Sequence, residues 1–209
     1  MNLLDERIWF PAYEQTHTSG IIAVGGDLSV ERLKLAYQLG VFPWYNENEP
    51  ILWWFPNPRF VLFPSELIIS KSMAKLLRNQ IFEFTEDQRF EEVIDHCQKI
   101  KRPGQNGTWI NEEMKKAYIE LHHAGKAKSV EIWQNDELVG GFYGVIGKNI
   151  FCGESMFAKV PNASKAGFIH FVQKYSSQYH LIDCQVYTSH LASLGARNIE
   201  AEAFLTYLI

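Results

Sequence analysis

The sequence predicts a mixed α+β fold in layers, with a small N-terminal domain followed by a domain built on one central, largely antiparallel sheet. Two observations carry this: helix-period and strand-period segments alternate after residue 64, and three strand-period segments follow one another over residues 129–157. A third sets the boundary. Before residue 64 the chain is crowded with turn formers and aromatics, and after it with periodic elements, so the expected division is 1–64 and 65–209.

The elements follow in order. FPAYEQ, AVGGDLS, GVFPWYNENEP and WWFPNPR read as turns, and one helix is expected over about 30–39, with Ser29 placed to cap it and Gly40 to end it. SKSMAKLLRN reads as a helix, IFEFTED as a strand and RFEEVIDHCQKI as a second helix. A longer helix over NEEMKKAYIELHHAG takes Asn111 as its cap and Gly125 as its stop. The stretch from SVEIW to ESMF supplies the three strands, the first pair joined at QND. NASKAGFIHFVQKYSSQ is a helix, LIDCQVY a strand, and short helical pieces complete the chain.

At 209 residues, 46% of them hydrophobic, the chain can bury a core of ordinary size. Its net charge of -4 gives no global attraction to nucleic acid, so such binding must come from local patches. MNLLDERIWF carries acids where a secretory leader needs bases, and no stretch reaches the roughly 18 apolar residues of a membrane span; a cytoplasmic protein is expected. Cys97, Cys152 and Cys184 show no CxxC spacing, which suggests neither a disulfide framework nor a zinc site. No GxSxG elbow, Walker loop, GxGxxG after a strand or HExxH is present. His122 and His123 point about 100° apart on a helix, a poor metal pair, and are expected on an exposed face.

The chemistry lies where polar residues break apolar strands. In LIDCQVY, Asp183 and Gln185 occupy alternate positions and are expected on one face; in FCGESMF, Glu154 stands among apolar and small neighbours. A buried carboxylate needs a partner, water or a ligand, and if the two strands are neighbours the three side chains converge on one acidic pocket suited to an amine or other cation. Trp53, Trp54 and Trp109 sit beside turn residues, as candidates for stacking on bases. Lys71, Lys75 and Arg78 share one helix stripe with no acid nearby, and Lys115, Lys116, Lys126 and Lys128 form a looser basic group; either is a weak footprint of phosphate binding, or a solvated face.

Taken together, GGDLS, GVFPWY, ILWWFPNPR, TWI, SVEIW, LVGGFYGV, FCGESMF, NASK and LIDCQV, in this order, resemble the leucyl/phenylalanyl-tRNA-protein transferases, over residues 20–208. The resemblance implies a GNAT-like acyltransferase domain after the N-terminal one, and transfer of Leu or Phe, with Met left open, from Leu-tRNA or Phe-tRNA to the α-amino group of proteins beginning with Arg or Lys, marking them for N-end-rule degradation. No metal or redox cofactor is implied, and a monomer is expected. Asp183 matches the family's catalytic aspartate, which orients the amine, and Gln185 the adjacent glutamine, a hydrogen-bond acceptor; Glu154 matches the acidic residue near the acceptor. Phe142, Phe151, Met156, Phe168, Phe171 and Ile182 match the aminoacyl pocket. Trp53 and Trp109 match tryptophans near the aminoacyl-adenosine, and Lys71, Lys75 and Arg78 a helix touching tRNA phosphates. Phe55 and Phe142 depart from the smaller residues common at their positions, and Glu200 and Glu202 stand where basic residues are frequent. Two other readings stay open: an aminoacyl-tRNA-dependent enzyme with a different acceptor, and a tRNA or N-degron binding module without turnover.

Overall fold

The computed structural model describes residues 2–100 and 109–208; the Gly107 and Thr108 positions of the GTWI motif lie outside them. Strands β1 (Asn2–Leu4), β2 (Ile21–Gly25), β3 (Phe42–Pro43) and β4 (Leu52–Trp54) form a small sheet in the order β1-β2-β4-β3. Helix α1 (Val30–Gln38) lies between β2 and β3 in the chain; the Ser29 hydroxyl accepts from the Arg32 N–H, and Gly40 supplies the positive φ of 73° that ends the turn. This helix is legible in the sequence, and the strands around it are not. Strands of two to five residues, set among turns, leave no period to read.

The larger sheet is built from β5 (Arg59–Leu62), β6 (Glu83–Glu86), β7 (Ala127–Gln134), β8 (Glu137–Ile146), β9 (Ile150–Ala158), β10 (Leu181–Gln185) and β11 (Arg197–Ile199), in the order β11-β5-β10-β9-β8-β7-β6. Among the described residues of this sheet, only the β10–β9 pairing is parallel. Because β5 belongs to this sheet, the hand-over between sheets falls at residues 55–58, earlier than the boundary at 64 read from composition. The β7–β8 hairpin closes through Asn135 and Asp136, both at positive φ (53° and 61°), as a two-residue turn of this hand requires.

Helices α2 (Lys71–Arg78), α3 (Phe90–Lys99), α4 (Glu112–His123), α5 (Ala163–Lys174), α6 (Ser189–Ala192) and α7 (Ala201–Leu205) complete the described fold. Helices α3 and α4 pack on one face of the large sheet and α5 on the other. Close seating of α5 depends on Gly167, where a Cβ would stand 2.5 Å from the Ile132 side chain. The first face shares its core with the N-terminal module: Ile22, Trp53 and Phe55 are continuous with Val93, Tyr118 and Cys152. Phe204 of α7 closes over Phe55.

Candidate active site

Two bulges aim the polar groups. In the β8–β9 pair, Tyr143 faces Ser155 and Gly144 faces Gly153, so Glu154 is an extra residue with no partner across the ladder. In the β5–β10 pair, Val61 faces Asp183 and Phe60 faces Gln185, leaving Cys184 as the extra residue. Gln185 then takes a φ of 63°, and the Val186 N–H donates to the Cys184 carbonyl at 2.7 Å. This tight three-residue turn with a positive φ at a non-glycine centre is a strained way to end a strand. The β9–β10 ladder stops at Cys152 opposite Asp183 while β9 runs on to Ala158. Beyond that point lies a cavity of about 570 Å³.

One part of the cavity wall is apolar, with Phe142, Met156, Phe168 and Ile182, and another carries Glu154, Asp183 and Gln185. Phe151 and Phe171, expected in the lining, are instead fully buried behind Phe142, edge-on at centroid distances of 6.4 and 5.5 Å. They set the position of the floor without touching its contents. The aromatic wall also differs from the expected one. Trp53 is 0% exposed, with its indole N–H donated to the Gly25 carbonyl at 2.9 Å, so it is a core residue of the N-terminal module and has no face left for a base. Trp109 does line the cavity, and the partner tryptophan there is Trp44, 37% exposed on the segment after β3.

Asp183 and Arg59 form a fully buried, two-pronged ion pair, with Arg59 Nε donating to Oδ1 at 2.7 Å and a terminal guanidinium nitrogen to Oδ2 at 2.5 Å. The guanidinium lies over the rings of Phe42 and Phe204. Burial pulls the Arg59 pKa down, but Asp183 outweighs it and holds the value above its usual range. The Gln185 backbone N–H also donates to Asp183 Oδ1, at 2.9 Å, which ties the strained turn to the ion pair. Asp183 therefore fixes the position of Gln185 and has little capacity left for a substrate. Arg59 is not among the residues expected at the site. Its signal is a charge at the head of the apolar strand RFVL, the same anomaly that singles out Asp183.

Gln185 turns its amide to Glu154, Nε2 donating to Oε1 at 2.8 Å. The other Glu154 oxygen accepts from the Tyr118 hydroxyl at 3.1 Å, and Tyr118 shares a 2.5 Å hydrogen bond with Tyr37 of α1. Burial pushes the Glu154 pKa up to about 8, with Asp183 adding to the effect, while the two tyrosine hydroxyls and Arg59 oppose it. Burial likewise raises both tyrosines, with Glu154 as the next cause. Tyr37 and Tyr118 have no signature in the sequence, because a tyrosine on a helix is unremarkable until its hydroxyl is located. Cys152 and Cys184 are buried and pushed upward by that burial, the opposite of an activated nucleophile.

The basic groups separate. Lys71, Lys75 and Arg78 stay exposed along α2 with no ion pair among the described residues, whereas Lys115 is paired with Asp95 and Lys128 with Glu86 and Asp87. The second, looser group is thus partly consumed by structure. His122 is not the exposed side chain expected: it stacks on Phe90 at 4.2 Å and hydrogen-bonds the Ala127 carbonyl.

Residues 61–209 match the family model described as leucyl/phenylalanyl-tRNA protein transferase, and residues 26–57 the model of that family's N-terminal domain. A leucyl/phenylalanyl-tRNA–protein transferase of Flavobacterium johnsoniae is 56% identical over 209 residues, covering 100% of this chain and 99% of that one. Its counterpart in Christiangramia forsetii is 52% identical, with 100% of both covered, and that of Myxococcus xanthus 50% identical over 95% of this chain and 86% of its own. Among solved structures, a GCN5-related N-acetyltransferase from Kribbella flavida aligns with 79% of this chain and 59% of its own at 8% identity and a TM-score of 0.40, a likeness too remote to argue from. Full-length identity above one half, with both family models matched in order, leaves one assignment: the chain belongs to the leucyl/phenylalanyl-tRNA protein transferase family and is an aminoacyltransferase.

Proposed function

We propose that the cavity transfers Leu or Phe from its tRNA to the α-amino group of proteins that begin with Arg or Lys, as a cytoplasmic monomer and without a metal or redox cofactor. The observation that carries this reading is the pairing, in one cavity, of an apolar wall with a carboxyl group that keeps a hydrogen-bonded position facing it. Phe142, Met156, Phe168 and Ile182 form the pocket for the aminoacyl side chain. Met156 is adaptable in shape, and an apolar pocket discriminates only weakly, by about 1–3 kcal/mol for a methylene, so acceptance of both Leu and Phe is the physical expectation. Trp44 and Trp109 offer faces for the terminal adenosine, a role in which Trp44 replaces Trp53. Lys71, Lys75 and Arg78 meet phosphates farther along the tRNA.

In the reaction the acceptor nitrogen attacks the ester carbonyl, the carbon–oxygen bond to the tRNA ribose breaks, and the ribose oxygen leaves with a proton that the nitrogen gives up. Gln185 Nε2 is committed to Glu154, which leaves Gln185 Oε1 to accept a hydrogen bond from the α-amino group and point its lone pair at the carbonyl. An amide is a poor base, so this contact orients, and the proton moves to the departing oxygen. Glu154 ionises when a cationic Arg or Lys terminus enters, because the incoming charge offsets the cost of burying a carboxylate. Asp183 and Arg59 hold the Gln185 turn in place as positioning residues.

The decisive experiment incubates purified protein with radiolabelled Leu-tRNA and peptides starting with Arg, Lys, Asp or Ala. Label on the Arg and Lys peptides alone supports the reading; label on none, with tRNA still bound, leaves a binding module or another acceptor.

A further inference from the structure

The contacts that hold Gln185 in place do not end at Arg59. Asp183 takes two guanidinium nitrogens of Arg59 and the Gln185 backbone N–H, but the remaining terminal nitrogen, Nη1, is buried and has no hydrogen-bond acceptor among the described residues. What the guanidinium meets beyond Asp183 is aromatic: its central carbon stands 4.9 Å from the ring centroid of Phe42, 6.0 Å from that of Phe55 and 4.6 Å from that of Phe204. A cation removed from water is attracted by the negative face of a ring, most strongly where desolvation is complete. Phe204 is the nearest of the three rings; it is 0% exposed and, unlike Phe42, is not part of the cavity lining.

The seat of this ring is built from several directions. Asn57, just before β5, accepts with its side-chain Oδ1 from the Ala201 N–H at 3.1 Å and so fixes the start of α7. Phe55 packs on Phe204 at a centroid distance of 6.3 Å. Gly40, at the end of α1, leaves it room, since a Cβ there would stand 2.6 Å from the Phe204 ring. A leucine would fill most of the same space but would present no π face to the charge.

We propose that Phe204 is a positioning residue for the transfer reaction: its ring face holds the Arg59 guanidinium and, through Asp183, keeps the strained Gln185 turn aimed at Glu154 and the ester carbonyl. The inference rests on the transfer reading above and adds to it a residue that touches no substrate. The last helix of the chain then acts on the reacting groups from outside the cavity, along the contacts Phe204, Arg59, Asp183 and Gln185.

The test uses the full chain with mono-, di- or pentafluorinated phenylalanine placed at position 204 alone. Fluorine draws electron density from the ring face while changing the ring's volume little, so the attraction for the cation is separated from packing. Expected is a graded fall in kcat with Leu-tRNA and a peptide beginning with Arg, reaching roughly tenfold in the pentafluorinated form, while KM for Leu-tRNA stays within about twofold of wild type. Phe204→Leu should resemble the pentafluorinated form. The Arg59 Nε–H signal in proton NMR, identified by its absence in Arg59→Met, should exchange with solvent progressively faster along the series at a temperature where every form is folded. A kcat within about twofold of wild type throughout, a fall that does not follow the degree of fluorination, or a change confined to KM for Leu-tRNA would overturn the proposal. Wild-type protein that makes no product from Leu-tRNA and the Arg peptide instead defeats the transfer reading, and the exchange series still decides whether Phe204 holds Arg59.

Discussion

Arg59 and Asp183 are 1% and 0% exposed, and each is the other's compensating charge in a place removed from water. Removing either partner alone is expected to cost about 3–5 kcal/mol, because the survivor stays buried and unpaired. Asp183→Ala should therefore lower the urea midpoint as well as turnover, and Arg59→Met should do the same although Arg59 is not among the groups placed at the substrate. Arg59→Met with Asp183→Asn should cost much less than the sum of the single changes. Additive effects in denaturation would show that the pair is not coupled. Glu154 gives the opposite kind of signal. Its pKa is raised to about 8 from 4.5, so between those values the unfolded chain has lost a proton that the folded chain keeps. Folding stability contributed by this group is full below about pH 4.5, declines through the interval and is flat above about 8. Urea midpoints measured from about pH 5 to 9 should fall with rising pH in wild type relative to Glu154→Gln, and parallel curves would remove the raised carboxyl from the site.

At the scale of the element, the end of β10 is the most informative segment. The strained turn at Gln185 brings an amide to Glu154, and glycine adopts the same backbone without a steric penalty. Gln185→Gly is expected to remain folded with nearly unchanged stability while transfer falls at least tenfold; a large drop in stability in thermal melts would mean that the side chain is mainly structural. The unusual character of β10 is legible in the sequence, since Asp183 and Gln185 interrupt an apolar strand, and Glu154 is visible in β9 for the same reason. The bulges that redirect them are not. Simple alternation puts Asp183 and Gln185 on a common face, whereas the extra residue Cys184 and the turn give one to Arg59 and the other to Glu154. The helices α1 to α5 are legible from their apolar spacing, reinforced at α1, α2 and α4 by the capping residues Ser29, Ser70 and Asn111. Trp53 and Trp44 are not separable, because both stand beside turns and only the packing of β4 decides which indole is enclosed.

Across the whole molecule, the two sheets are not independent bodies. The core that holds Ile22, Trp53 and Phe55 is the same one that holds Val93, Tyr118 and Cys152, and Tyr37 reaches from α1 to the Tyr118–Glu154 contact. Phe204, returning from the far end of the chain, closes over both Phe55 and Arg59. An N-terminal module with so little core of its own should not melt by itself. Four of the six tryptophans, Trp9, Trp44, Trp53 and Trp54, lie before β5, so indole fluorescence reports mainly on that module, while far-UV circular dichroism is weighted toward the helices α2 to α7 and the large sheet. The two probes should give coincident urea transitions with one midpoint. Phe204→Ala, which leaves a cavity at the junction and is expected to cost about 3–5 kcal/mol, should move both transitions together. An earlier fluorescence transition, in wild type or in this variant, would show that the N-terminal module unfolds separately; Tyr37 would then be an intermittent neighbour of the site, and the alignment of Glu154 would have to come from the large domain alone.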